Sequence, residues 1–283
     1  MRAASCFNSA VPEDYGPTRI VSLQPSATVI LDRLGMLHRV VACTKWCLDV
    51  CPQLDNRHII VADSWSAKSA EILAARPALV IASVPYRMES LAEILKAGVP
   101  LLALAPKTLH DIYRDIALIA ATVNATERGR QLIAQMQSDI ESVRQIADQA
   151  VQSSGRPSVF CEEWGKPIIH SQAWVAELVE IAGGEFIGSP GAQTTAEVVL
   201  TADPQVVIAA WCGAGDRVPL EKIVRDRGWQ AMMAVKHSRV YCIRDELLNT
   251  PAPTLLQGLH ALAAAIHPDA FPHIAGLRRI ATP

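Results

Sequence analysis

The segment that most constrains the fold lies near the middle of the chain. From Thr126 to Val151, the residues Leu132, Met136, Ile140, Val143, Ala147 and Ala150 recur at three- and four-residue steps, with polar positions between them. The pattern predicts one amphipathic helix that spans roughly 39 Å at 1.5 Å per residue. Asn124 or Thr126 is placed to cap it, Glu127 sits near its positive end, and Ser153, Ser154 and Gly155 close it. A helix of that length crosses from one folded unit to another.

Both flanks of this helix alternate between short apolar runs and helical patterns. On the N-terminal side the predicted strands are residues 19–23, 39–43, 58–62, 79–83 and 99–104. Ser26 is placed to cap a helix over 27–34 that stops at Gly35, and Ser69 to cap one over 70–76 that stops at Pro77. Such alternation implies a parallel sheet with helices on both faces. On the C-terminal side the pattern resumes over 158–161, 172–182, 197–202, 205–210, 239–243 and a last helix near 254–266. The stretches 70–82 and 196–209 share an acidic helix start, an apolar helix, a proline stop and a buried strand, the second copy being one residue longer. The expected fold class is α/β, with two similar lobes built on parallel-type sheets, one long helix joining them and a ligand cleft between. The expected boundaries are an extension over 1–17, a lobe over 18–123, the helix over 124–153, a second lobe over 154–270 and a tail over 271–283.

Composition narrows the function. Half of the 283 residues are apolar and 19% are charged, enough to build two cores. A net charge of −2 with scattered basic residues offers no footprint for nucleic acid or an anionic membrane surface. No apolar run approaches the roughly 20 residues of a membrane-spanning helix, so the protein is not expected to span a membrane. The opening residues hold no apolar signal-peptide core, and Ala3-Ala4-Ser5-Cys6 reads as a chance likeness to a lipoprotein signal. The chain as written is therefore expected in the cytoplasm, with the periplasm as the alternative if a leader has been removed. Seven cysteines, an odd number, favour a reducing compartment. Cys43, Cys47 and Cys51 recur every fourth residue, but Cys43 ends an apolar run and Pro52 follows Cys51. They read as buried or idle thiols more readily than as a metal or redox cluster.

The motif Arg19-Ile-Val-Ser-Leu-Gln-Pro-Ser-Ala-Thr-Val-Ile-Leu31, followed by Leu34-Gly35 and Arg39-Val-Val, resembles the opening signature of the helix-linked solute-binding proteins. These serve uptake of vitamin B12, iron-siderophores and haem. The resemblance continues through 71–81, Glu177-Leu-Val-Glu-Ile-Ala-Gly-Gly184, 197–208 and Arg239-Val-Tyr, and so covers nearly the whole chain. Residues 44–52, 161–167 and 249–259 look most like the cobalamin-binding branch. Two positions depart from it: Thr254 stands where an arginine is common, and Gly191 where an aromatic residue is expected. The resemblance implies non-catalytic binding of a corrinoid in the cleft, as an ABC-type solute-binding protein or a cytosolic relative. Iron-siderophore or haem binding is the alternative, as is a cytosolic metabolite sensor or scaffold acting on a protein partner. It also implies docking of a membrane permease by one glutamate per lobe. Glu197 matches that position. Glu71 matches if Trp65 anchors the alignment, whereas Ala70 takes the position if Pro77 does; a helix-dipole role explains both acids equally well.

Trp46, Trp65, Trp164 and Trp211 lie at or just after predicted strand ends, where ligands of open α/β sheets bind. Flat macrocycles need wide apolar contact, which indoles supply. Pro25, in the opening signature, and Tyr86, after the strand over 79–83, join the candidate set. So do His170, in an expected cleft loop, and Asp245 and Glu246, whose carboxylates could accept hydrogen bonds from ligand amides. Trp174 and Trp229 read as packing. The histidines form no HxH, HxxxH or HExxH spacing, so no metal site is expected, and no cofactor is required. No GxSxG, phosphate loop or dinucleotide fingerprint is present, and no enzyme is expected. A Cys–His hydrolase built on Cys47 or Cys161 stays open at this point, since such partners meet only in the fold.

Overall fold

Two sheets, one on each side of the long helix, organise the computed structural model, which describes residues 16–54, 58–272 and 274–281. The first contains β1 (Ile20–Ser22), β2 (Val40–Cys43), β3 (Ile59–Ile60), β4 (Leu79–Ser83) and β5 (Leu101–Leu104) in the order β3-β2-β1-β4-β5. All its pairings are parallel. β1 and β4 are central and buried on both faces, which is why they read as unbroken apolar runs. The predicted strand over 58–62 shrinks to two edge residues, Ile59 and Ile60, whose side chains are exposed.

The helix starts differ from the sequence reading in an instructive way. The first helix is Pro25–Arg33, with Gln24 as its N-cap and Pro25 in the first turn, where a missing N–H costs nothing. Ser26 does not cap it. Ser69 lies inside the helix Ser69–Ala74 behind its N-cap Lys68, and its hydroxyl donates to Glu93 at 2.7 Å. Thr108 does cap the helix Leu109–Thr122, through a capping box with Asp111.

The linking helix runs over Thr126–Ser154 and, at 29 residues, reaches about 44 Å. Ala125 occupies its N-cap without a side-chain bond, so neither Asn124 nor Thr126 caps it. Asn124 instead takes a left-handed φ of 58° in the short junction after Leu109–Thr122. At its start the helix packs on that preceding helix, and Arg128 donates to the Leu34 carbonyl at 2.9 Å. Elsewhere it packs on Ala173–Ile181 and Leu255–Ile266 of the second lobe. A further tie joins the lobes: Glu177 accepts from the backbone N–H of Leu109 at 3.1 Å.

The second sheet contains β6 (Ser158–Gly165), β7 (Ile168–His170), β8 (Glu185–Phe186), β9 (Gln193–Thr194), β10 (Val206–Ala209), β11 (Val240–Ile243) and β12 (Leu277–Arg279). Its order is β12-β11-β10-β6-β7-β9, with β8 also on β6. The core β11-β10-β6 is parallel, but β7 and β12 run against it and β9 pairs antiparallel with β7, so the sheet is mixed where a parallel one is expected. β12 comes from the expected tail and pairs with β11, which carries the second lobe past residue 270. Strands of two or three residues hold too few positions to show a period. The two lobes share one detail of design: Arg76 and Asp203, each preceding the proline that ends a helix, both adopt left-handed φ, 47° and 43°.

Candidate functional site

The carboxyl ends of the two parallel cores face each other. Trp46, just after β2, meets Gly213, which follows β10; a Cβ placed on Gly213 would stand 3.4 Å from Cη2 of the indole. Residues after strands of both lobes therefore form the two walls of one cleft, as strand-end loops do in open α/β sheets.

On the first-lobe wall the indoles of Trp46 and Trp65 are 37% and 49% exposed. Trp46 lies in the helix Lys45–Val50, with Lys45 Nζ 4.3 Å from its ring centroid. Trp65 is held by its loop: Asp63 Oδ1 accepts from the N–H groups of Trp65 and Ser66, and the Trp65 carbonyl accepts from Ser90 at 2.5 Å. Arg87 lies 5.7 Å over its ring. Pro25 is half-buried in the first turn of its helix. Tyr86 spends its hydroxyl within the lobe, donating to the Leu104 carbonyl at 3.0 Å and accepting from Leu104 N–H at 3.1 Å. Burial pushes that phenol up to about 12.

On the second-lobe wall Trp164 is 44% exposed, its Nε1 donating to the Lys166 carbonyl. Trp211 is fixed from beneath. Its Nε1 donates to Glu162 at 2.7 Å, and Glu162, fully buried, pairs with Arg227 at 2.7 Å. Arg227 also lies 4.8 Å from the buried Trp229 ring and 5.9 Å from Trp211. Burial pushes the Glu162 carboxyl up, while Arg227 and Trp211 pull it back. Gly165 makes this stack possible, since any Cβ there would stand 2.1 Å from the Trp211 ring.

The structure places other expected residues differently. His170 ends β7 instead of lying in a cleft loop; it is buried, its Nδ1 3.1 Å from the Ala192 carbonyl and its ring edge-on to Phe160. Asp245 accepts from the N–H groups of Gly213 and Gly215, at 2.8 and 2.7 Å, and so shapes the loop that meets Trp46. Glu246 pairs with Arg244. Trp174 and Trp229 are buried, as their patterns predict, with their N–H groups on the carbonyls of Leu248 and Ala196.

Sequence reasoning missed a polar group on this wall. Glu163 Oε1 accepts from Gln172 Nε2 at 2.5 Å, and the Glu163 carbonyl accepts from Cys212 N–H. Asn249 Nδ2 donates to the Ala210 carbonyl at 2.7 Å and lies 3.3 Å from the exposed Cys212 thiol. Burial pushes the Glu163 carboxyl up to about 7, opposed by Gln172. Adjacent acids in Cys161-Glu162-Glu163-Trp164, at the end of an apolar strand run, were the available signal.

Cys43, Cys47 and Cys51 lie at the end of β2, in the following helix and just after it, all buried. Cys47 Sγ is 3.1 Å from Thr28 Oγ1 and 3.2 Å from Thr44 Oγ1. Cys161 is also fully buried, so neither thiol considered for a hydrolase reaches the surface. Cys6 lies outside the described residues. Among the described residues no group of three His, Cys, Asp or Glu side chains is arranged to hold a metal ion, and no helix is long and apolar enough to cross a membrane. A surface cavity of about 620 Å³, lined by Arg156, Arg239, His267 and Asp269 among others, lies at the opposite, amino end of the second sheet. Its arginines donate to the Glu180, Gly184, Ala265 and Ile266 carbonyls beside helix ends, which is a capping role.

Glu197 is exposed in the first turn of Ala196–Ala202, and the Thr195 hydroxyl and backbone hydrogen bonding hold its carboxyl below the usual range. Glu71 is half-buried, and its Oε2 accepts from Ala62 N–H at 2.9 Å, tying down the loop that carries Trp65. Ala70 is exposed beside it.

Two similar α/β lobes that offer strand ends to a shared cleft, with one long helix between them, define a helix-linked cleft-binding protein. Residues 20–247 match the family model described as periplasmic binding protein, and the chain belongs to that family. It is 26% identical over 265 residues to the uncharacterized ABC transporter substrate-binding lipoprotein YvrC of Bacillus subtilis, covering 90% of this chain and 82% of that protein. It is 27% identical over 250 residues to a vitamin B12-binding protein of Pectobacterium carotovorum, covering 85% of each. Among solved structures, the periplasmic heme-binding protein RhuT from Roseiflexus superposes with a TM-score of 0.78 at 25% identity, covering 90% of this chain and all of that one.

Proposed function

We propose that the protein reversibly binds a corrinoid in the interlobe cleft, without catalysis and without a resident cofactor, as the solute-binding component of an ABC-type uptake system. The observation that carries this reading is the set of indoles at strand ends of both lobes, Trp46 and Trp65 on one wall and Trp164 and Trp211 on the other. Each wall thereby offers a broad, partly solvated apolar face to a flat ligand, and these side chains lose little rotamer freedom on binding. The vitamin B12-binding relatives support the corrin as the ligand. Titration with cobalamin is expected to quench tryptophan fluorescence, and no response at tens of micromolar, roughly the ceiling for a specific site, overturns the reading.

Haem is the second reading, favoured by the likeness to a heme-binding structure at 25% identity. A thermal-shift panel of cobalamin, haem and ferric siderophores separates the two, because only a ligand of the folded state raises the melting temperature.

The compartment is part of the proposal. Buried, unpaired cysteines favour a reducing one and hence the cytosolic relative, whereas a relative named as an ABC transporter substrate-binding lipoprotein favours export and permease docking through Glu197 and Glu71. Fractionation of cells expressing the full native gene decides between them, and a pull-down that recovers a regulator or an enzyme favours the sensor role.

A further inference from the structure

Two carboxamide side chains on the second-lobe wall are anchored by their NH2 ends. Gln172 donates to the Glu163 carboxyl, and Asn249 donates to the Ala210 carbonyl. The Asn249 orientation is fixed by chemistry, because a backbone carbonyl can only accept, and that of Gln172 is fixed above about pH 7, where Glu163 is ionised. Each amide therefore keeps its oxygen as a free acceptor. Asn249 Oδ1 is buried and has no hydrogen-bond partner among the described residues. Around this pair the wall adds the carboxyl of Glu163 and that of Asp245, whose two oxygens already accept from Gly213 and Gly215. Of the cations of this lobe, Arg244 pairs with Glu246 and Arg217 donates to the Gly213 carbonyl, while Lys166, in the turn beyond Trp164, is exposed. The cations of the opposite wall, Lys45 and Arg87, lie over their own tryptophans.

We propose that Glu163, Gln172 and Asn249 make this wall selective for ligands that present N–H donors, so that a macrocycle bearing neutral amide side chains is taken and the same macrocycle bearing carboxylates is refused. The inference rests on the cleft-binding reading and narrows it to amide-bearing ligands. An amide N–H brought to Asn249 Oδ1 satisfies an acceptor that is otherwise stranded, whereas a carboxylate there sets lone pairs against lone pairs and adds negative charge beside Glu163 and Asp245. A site built to hydrogen-bond a donor discriminates strongly against an analogue that lacks it.

The test uses four probes at pH 8: a cobinamide, the same corrin hydrolysed to its carboxylic acids, haem, and haem with both propionates converted to primary amides. Binding to the full chain is followed by tryptophan quenching. The amide form is expected to bind at least about tenfold more tightly than the acid form of the same macrocycle. If neither corrin binds but the haem diamide outcompetes haem, the wall proposal stands and the corrinoid reading falls. If an acid form binds as tightly as its amide, the wall proposal falls whatever the fate of the corrinoid reading, and if nothing binds both fall. Asn249→Leu and Glu163→Gln are expected to narrow the amide preference to less than about threefold. Should Asn249→Leu fail to fold, Glu163→Gln, which keeps shape and removes charge, carries the test, and an undiminished preference in it overturns the role of Glu163.

Discussion

Trp46 of the first lobe rests against Gly213 of the second, at 3.4 Å from the position a Cβ on that glycine would take. Gly213 has φ of +76°, and its loop is held by Asp245 through two backbone hydrogen bonds. The cleft is thus bridged by an indole from one wall and bare backbone from the other, an approach that only glycine at that φ permits without strain.

Replacing either partner is expected to act on binding. Trp46→Ala is expected to weaken corrinoid affinity by about 10- to 100-fold, the loss of about 1.5–3 kcal/mol of indole contact. Gly213→Val forces a β-branched residue into left-handed backbone and is expected to cost about 1–2 kcal/mol of stability. Calorimetric titration and urea unfolding check the two effects, and a Trp46→Ala protein of unchanged affinity removes that indole from the site.

The buried pair Glu162–Arg227 is expected to matter by what its breakage leaves behind. Arg227→Met strands a buried carboxylate and is expected to cost about 3–5 kcal/mol, much of it restored in the Glu162→Gln/Arg227→Met double variant. Urea unfolding measures both. A single variant as stable as the parent shows that Glu162 has taken up a proton or water instead. Since Glu162 holds Trp211, the single variant is also expected to lose part of the ligand-induced quenching.

Stability is expected to fall as pH rises from 4.5 to about 7. The Glu163 carboxyl is raised from 4.5 to about 7 and the Asp115 carboxyl from 3.8 to about 6, in both cases chiefly by burial. The folded state therefore holds more protons than the unfolded one across this window, and the slope of unfolding free energy against pH is negative. Glu163 contributes at most about 3 kcal/mol to this loss. Glu163→Gln is expected to flatten the profile of melting temperature against pH. An equal slope in parent and variant assigns the effect elsewhere.

Charge reversal at the two lobe glutamates separates docking from binding. Glu197→Lys alters an exposed side chain and is expected to leave stability within about 0.5 kcal/mol and ligand affinity unchanged, while abolishing uptake in a transport assay. Glu71→Lys also breaks the bond to Ala62 beneath the Trp65 loop, so a modest loss of affinity is expected with it. Uptake undiminished by both changes together removes the docking role.

What the sequence by itself determined is the part governed by periodicity and local backbone rules. The three- and four-residue steps from Leu132 to Ala150 commit that segment to one helix, and the buried runs around Ile20, Val80 and Val207 commit theirs to central strands, because burial on both faces demands unbroken apolar residues. The helix-proline-strand unit repeated at Pro77 and Pro204 made the two-lobe design legible, and strand ends drew attention to Trp46, Trp65, Trp164 and Trp211. Only the tertiary structure decided the strands β7, β9 and β12, too short to carry a period, and the partners of each polar side chain. It placed His170 in a packed strand, turned Asp245 toward the backbone of a neighbouring loop, and brought Gln172, Cys212 and Asn249 around Glu163. Hydrogen-bond partners 30 to 40 residues apart, such as Gly213 with Asp245 and Ala210 with Asn249, meet because separate strands of one sheet end side by side. Spacing along a chain holds no record of that meeting.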